Sequence, residues 1–396
     1  MKKLLMVGLL GVMILSMLAG CGGASTTPST SGGDAKEPVK IGLQAPITGQ
    51  WAFEGDMAKK SADTAAKLIN DKGGVLGGRK IEVVVADDAS NPTDSALAAQ
   101  KLVAEKVVAV IGSYGSSVTV PAADIYEQNK MVSVGYGCTA VTLTMEKQRK
   151  YFFRTCGRDD SQGQFFGKYA VETMGAKRIA IMHDNTTYAK GVADEAEKAL
   201  KPYIDAKKAE IVYLDAITPG EKDFSAALTK LRETKPDVWY YTGYFPEGGL
   251  LIRQGRDAGI ECPFVGSNAT INDDFVKIAG IDYAKGALMT NEPLPGDLTT
   301  DIAKEFLAAY KAAYNGEIPS SPWPVYAADA VYALAWAIDK AGSTEPDKIE
   351  AAMRSNMTGS QGVTGTIAFS DRGDRVGVPY YMYVVTEEGK FAVYKP

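Results

Sequence analysis

Histidine is almost missing from this chain: His183 stands alone in 396 residues. A Ser–His–Asp system would have to be built on that one residue, and the Gly-x-Ser-x-Gly turn that seats a nucleophilic serine is absent. His183, in Ile181-Met182-His183-Asp184-Asn185, reads instead as a hydrogen-bonded structural or cleft-lining group at a strand end. One histidine and four scattered cysteines make no usual zinc site, so no metal is expected. Asp87-Asp88 lack the spaced oxygens of a calcium loop and read as the end of a strand and the cap of a helix. No Gly-Lys-Ser/Thr closes a phosphate loop, and no Gly-x-Gly-x-x-Gly follows the first strand, so no nucleotide cofactor is expected. Nor is there an excess of positive charge. Lys and Arg number 43 against 48 acids, a net charge of −5, which argues against nucleic acid. Beyond the N-terminus no stretch is long and apolar enough to span a bilayer. What is present is an ordinary globular composition, 45% hydrophobic and 23% charged, with length for two domains.

The N-terminus carries an export pattern: Lys2-Lys3, then a short apolar stretch over 4–18, then small residues. Residues 1–20 read as a signal peptide. The closing Leu18-Ala19-Gly20-Cys21 resembles a bacterial lipobox, with Cys21 the lipid-modified first residue. The Gly/Ser/Thr/Pro-rich segment 21–38 then has the composition of a flexible tether. The mature protein is expected outside the cytoplasm, in the periplasm or on the outer face of the cell membrane, held by acyl chains. Export permits disulfides. Cys138 and Cys156 are close enough in sequence to form a bridge or to remain two thiols, and Cys262 would then stay unpaired.

The chain is organised around residues 107–121. Val107 to Ile111 reads as a buried strand, broken by Gly112 and Gly115, with a helix starting near Val118–Pro121. Ser113, Ser116 and Ser117 lie beside the free amides of that helix start, a place that favours an anion. A second turn, Gly135-Tyr136-Gly137-Cys138-Thr139, follows the strand over 131–134. The two turns are expected to face one site and hold the charged end of a small molecule.

Strand and helix alternate through the first part: strand 39–44, helix 55–70, strand 80–86, and a helix from Asn91-Pro92 to about Glu105. The rhythm restarts after 152–155, with helices over 162–174, 191–201, 224–233 and 248–258. The strands between them cover 178–182, 210–214, 238–241 and 263–265. Strand 286–290, helices 299–314, 324–340 and 346–353, the segment 365–369 and a hairpin of 380–386 with 391–394 complete the chain. Such alternation implies a parallel doubly wound sheet, here twice in tandem, with the last quarter completing both units. Ligands bind beyond the carboxyl ends of such strands. Those positions are 44–54, 87–90, 112–117 and 135–139 in the first unit, and 183–188, 243–247 and 266–268 in the second. Within Trp239-Tyr240-Tyr241 the rings read as strand core, whereas Tyr244 lies past the strand end and faces a ligand.

Over residues 39–390 the chain resembles the substrate-binding proteins of branched-chain and hydrophobic amino acid ABC transport, the leucine/isoleucine/valine-binding type. The resemblance rests on an ordered set of pieces. Among them are Asn70-Asp71-Lys72-Gly73-Gly74, Asp87-Asp88-Ala89, Phe153-Arg154-Thr155, Gly220-Glu221-Lys222-Asp223-Phe224-Ser225 and Tyr240-Tyr241-Thr242-Gly243-Tyr244-Phe245-Pro246-Glu247. It implies a two-lobed α/β fold of the type I periplasmic-binding-protein kind, each lobe a mainly parallel sheet, joined by three hinge crossovers. Residues 39–157 with 288–363 would form one lobe, and 158–287 with 364–396 the other. It also implies that Ser116 and the amide of Thr139 hold an α-carboxylate, while the Gly137 carbonyl and Thr139 hydroxyl receive the α-ammonium. Gly115 and Cys138 belong to the same turns, and Tyr188 and Tyr244 would come down from the second lobe.

Several positions depart from the family pattern. The glutamate that faces the ammonium in leucine-binding members is here Asn268. A tyrosine facing the side chain is Glu54, a leucine there is Tyr114, and the family disulfide positions read Ser90 and Gly115. Either Glu54 or Asp87 then balances the ammonium, or Glu54 meets a polar or cationic side chain, or it faces solvent at the cleft rim. The expectation is a monomeric, lipid-anchored receptor that delivers an unchanged amino acid or close analogue to an ABC permease, with no cofactor. An amino-acid sensor feeding a signalling receptor and an exported amidase-type enzyme are the rivals.

Overall fold

The structure, a computed structural model, describes residues 36–355, 357 and 359–396. The expected signal peptide, the lipidated Cys21 and the tether up to residue 35 lie outside the described residues.

The first sheet is built from β1 (Val39–Ala45), α1 (Ala52–Asp71), β2 (Ile81–Asp87), α2 (Pro92–Ala104), β3 (Ala109–Ile111), α3 (Ser116–Gln128), β4 (Val132–Gly135) and β5 (Phe152–Arg154). Its strands run parallel in the order β2-β1-β3-β4-β5. Helices cover both faces, so β3 and β4 are buried at every residue and need no alternation of apolar and polar side chains. Asn91 caps α2 by accepting from the Asp94 amide at 2.9 Å, and Pro92 occupies a first-turn position that needs no donor.

The second sheet follows with α4 (Asp159–Lys168), β6 (Arg178–His183), α5 (Thr187–Asp205), β7 (Glu210–Ala216), α6 (Ser225–Glu233), β8 (Val238–Tyr241), α7 (Phe245–Asp257), β9 (Phe264–Gly266), α8 (Asp273–Ala279), α9 (Ile281–Ala284) and β10 (Leu288–Asn291). The chain then returns to the first sheet with α10 (Asp301–Ala313), α11 (Trp323–Ala341), which packs along α1, and α12 (Pro346–Arg354). A small pair, β11 (Gln361–Gly362) with β12 (Gly365–Thr366), precedes β13 (Tyr381–Val385) and β14 (Phe391–Val393), which rejoin the second sheet. The order there is β14-β13-β10-β9-β8-β6-β7, antiparallel only at β13 and β14.

The α/β alternation is as expected, with local corrections. The helix of the central turn starts at Ser116, not at Val118–Pro121, and Pro121 sits inside it at the loss of one backbone bond. Three helices of the second half also begin earlier than expected: α4 at Asp159, α5 at Thr187 and α7 at Phe245. The Thr186 hydroxyl caps α5 by accepting from the Ala189 amide at 3.2 Å. The boundary expected at 287/288 moves as well. β10 is hydrogen-bonded to β9 and β13, so the second passage between the sheets follows Asn291. The third follows the β11–β12 pair rather than residue 363, since β11 packs on α11.

Candidate functional site

The carboxyl ends of β3 and β4 meet where the organising stretch places its two turns. Ser116 is the first residue of α3, whose opening amides have no partner within the helix. Its hydroxyl accepts from the Ala140 amide at 3.2 Å, which ties the first turn to the second. Gly137 donates its amide to the Ser113 carbonyl at 3.4 Å, and the Thr139 carbonyl accepts from the Asp159 amide at 3.0 Å. Ser116, Cys138 and Thr139 are fully buried.

The second turn is held from beneath by a buried cation. Arg154 donates to the carbonyls of Cys138 (2.9 Å) and Ala140 (2.8 Å), to the Thr144 hydroxyl (2.7 Å) and to Asp374 Oδ1 (2.7 Å). Arg158 reaches the other oxygen of Asp374 at 2.9 Å. A fully buried guanidinium persists only when paired and hydrogen-bonded in this way. The pairing joins the first passage between the sheets to the third.

Asp159 went unrecognised in the sequence because the helix it opens was expected to start at Gln162. It is fully buried, and neither carboxylate oxygen has a hydrogen-bond partner among the described residues. The Thr139 hydroxyl is likewise unpartnered. Burial pushes the Asp159 carboxyl up to about 8, against the opposing pull of the Thr139 hydroxyl and of Arg154. Gly191 of α5 leaves room for it: a Cβ there would lie 2.7 Å from Asp159 Oδ2. A buried carboxylate without a partner is costly, and the group that relieves the cost is a cation with hydrogens to donate.

From the second sheet, Tyr188 and Tyr244 reach the same place. The Tyr188 hydroxyl donates to Asn268 Oδ1 at 2.6 Å, with Ser267 Oγ at 2.8 Å. Asn268 Nδ2 donates to Glu292 Oε2 at 3.1 Å, so Asn268 passes the contact on to a buried carboxyl that burial holds above its usual range. Tyr244 stacks on Trp51 with ring centroids 4.4 Å apart, and Tyr114 meets both rings edge-on at 5.7 and 6.0 Å. Trp323, the first residue of α11, closes the cluster 5.8 Å from Tyr114. Trp51 lies in the loop after β1, a position that doubly wound sheets use for ligands. Trp323 carried no local signal.

Glu54 does not face solvent. It is 1% exposed, and its oxygens accept from Asn272 Nδ2 at 2.6 Å and the Ser321 hydroxyl at 2.7 Å. Burial pushes its carboxyl up to about 7 despite both hydrogen bonds. The rim reading is thereby corrected, and the ammonium reading weakened, because both oxygens already have partners. Asp87 does not serve either: it is exposed and accepts from Thr48 and from the Ala89 amide. His183 sits at the end of β6, its Nδ1 accepting from the Asn185 amide at 3.1 Å, a structural contact. The bridge considered for Cys138 and Cys156 is corrected too. They lie side by side as free thiols, and burial pushes the Cys156 thiol well up, which keeps it protonated and unreactive. Among the described residues no cluster of His, Cys, Asp and Glu is able to hold a metal ion.

The sequence profile of a family described as "Periplasmic binding protein" matches residues 38–390. The chain is 35% identical over 352 residues to the Leu/Ile/Val-binding protein homolog 1 of Brucella abortus, covering 89% of this chain and 91% of that one. It is 37% identical over 349 residues to the Leu/Ile/Val-binding protein BraC3 of Rhizobium johnstonii, covering 88% and 92%. Its fold matches the crystal structure of the leucine-binding protein LivK of Thermotoga maritima with a TM-score of 0.82, at 28% identity over 90% of this chain and 98% of that one. It matches LivJ of Streptococcus pneumoniae, solved in complex with isoleucine, with a TM-score of 0.80, at 29% identity over 91% and 100%. The fold is thus shared with proteins named for binding leucine, isoleucine and valine, and the chain belongs to the periplasmic binding protein family, of the Leu/Ile/Val-binding kind.

Proposed function

We propose that this protein is the extracytoplasmic receptor of an ABC importer and captures a free amino acid without altering it. The carboxylate lies at the N-terminus of α3, where the opening amides, the Ser116 hydroxyl and the Thr139 amide point donors at it. The ammonium lies against Asp159, the Thr139 hydroxyl and the Gly137 carbonyl. One observation carries this reading: the Asp159 carboxylate and the Thr139 hydroxyl are buried side by side, and neither is hydrogen-bonded to any other group among the described residues. An ammonium satisfies both and returns Asp159 to its ionised form. Asp159 thus supplies the negative charge that Asn268 does not.

Ser116 and Thr139 come from the first sheet, Tyr188 and Tyr244 from the second. A ligand touching both sets favours the closed form in proportion to those contacts, and the three passages act as the hinge. Cys21 anchors the protein to the membrane through its acyl chains, and segment 21–38 is the tether. The closed lobes dock on a permease. Titration calorimetry with free amino acids tests the binding mode. Ser116→Ala and Thr139→Ala should each weaken binding about tenfold or more, since a hydrogen bond to a charged group contributes about 1.5–3 kcal/mol. Unchanged affinity in both variants would remove these turns from the site.

A further inference from the structure

We infer that the site is cut down to a small amino acid (glycine, alanine or serine) because aromatic side chains fill the space a branched chain would take. The inference rests on the amino-acid reading above and goes beyond it to the size of the substrate. Trp51 packs directly on the first turn: a Cβ on Gly115 would lie 2.6 Å from its ring and 3.3 Å from the Tyr244 hydroxyl. Tyr114 packs on the second turn in the same way, with a Cβ on Gly137 only 2.6 Å from its ring. Both turns that hold the charged groups are therefore roofed by indole and phenol rings. The roof itself is close-packed, since Trp51 and Tyr244 stack at 4.4 Å and Tyr114 wedges against both. Trp51, Tyr114, Tyr188, Tyr244, Thr139 and Asp159 each expose no more than 2% of their surface, so the rings close tightly over the two turns and a larger ligand side chain has to displace more of them.

The chemistry of the wall points the same way. Trp51 Nε1, Tyr114 Oη, Tyr136 Oη and Trp323 Nε1 are buried without hydrogen-bond partners among the described residues. A branched aliphatic side chain laid against them leaves them unpaired, whereas a small side chain covers fewer of them and the hydroxyl of serine can pair with one. The roof is also latched. Glu54, on the helix that Trp51 caps, binds Asn272 from the loop after β9 and Ser321 from the segment before α11.

Calorimetry of the wild-type protein with glycine, L-alanine, L-serine, L-valine, L-leucine and L-isoleucine tests the inference. Alanine, glycine or serine should bind at least 100-fold more tightly than leucine. Tyr114→Leu and Trp51→Leu should each raise leucine affinity at least tenfold relative to alanine. Should either variant not fold, the wild-type panel decides alone. Leucine or isoleucine binding the wild type as tightly as alanine would overturn the size limit and leave the amino-acid reading standing. No heat of binding from any of the six, with another free amino acid bound, would overturn the size limit alone, and no free amino acid bound at all would bring down both.

Discussion

Glu54 is the buried acid whose behaviour is most open to measurement. The perturbation is Glu54→Gln. Asn272 donates to Oε1 and Ser321 meets Oε2, so glutamine reproduces the neutral carboxyl: its oxygen accepts from Asn272, and its amide nitrogen donates to the Ser321 hydroxyl. The substitution changes charge and little else. In the native protein the carboxyl is pushed from 4.5 up to about 7, first by burial and then by Asp274 and Asp273, against the bonds from Ser321 and Asn272. Below 4.5 the group is protonated whether the chain is folded or not, and contributes nothing pH-dependent. Above that, the unfolded chain releases the proton and the native one keeps it, so stability falls as pH rises and the full penalty is reached above about 7. At about 1.4 kcal/mol for each pH unit, the penalty comes to about 3 kcal/mol. Glu54→Gln is free of it. The variant should therefore gain on the wild type by about 3 kcal/mol between about pH 4 and pH 8 in guanidinium unfolding. Asp88, Asp159 and Asp184 are also raised by burial, but they titrate in both proteins, so the difference between the two isolates Glu54. A stability difference that stays flat across this range would mean that Glu54 ionises freely, and the latch between the two sheets would fall with it.

Two further outcomes follow from the same structure. Asp159→Asn keeps the volume but removes the negative charge next to Thr139. It should weaken amino acid binding by about 2–4 kcal/mol in calorimetry while leaving the melting temperature unchanged or higher, because an unpaired buried carboxyl is lost. Equal affinity in the variant would deny Asp159 the ammonium. Thiol titration of the unfolded protein without reductant should find Cys138, Cys156 and Cys262 all reactive, and loss of two of those thiols would show that the neighbouring pair had oxidised.

Local signals made much of this architecture legible. Strands such as β3, β8 and β9 are short apolar runs buried on both faces, and the Asn91-Pro92 start of α2 carries its cap in its own sequence. Glycine and proline were less dependable guides. They suggested late starts for α3, α5 and α7, yet each helix gains its first turn from residues whose other contacts lie elsewhere: Ser116 with Ala140, Tyr188 with Asn268, and Tyr244 with Trp51. A late start read at Gln162 likewise hid Asp159, which reads as one more acid in a loop unless its helix is known to begin there.

The sequence by itself determined the alternation of strand and helix, the export pattern, and the two small-residue turns, because each depends on neighbours along the chain. Tertiary structure alone decided what those turns face. Glu54 and Asn272 are 218 residues apart, and the stack of Trp51 on Tyr244 joins loops from different sheets. Such pairings arise only when separate elements pack, since the burial that raises a carboxyl or seats a ring is contributed by residues remote in the chain.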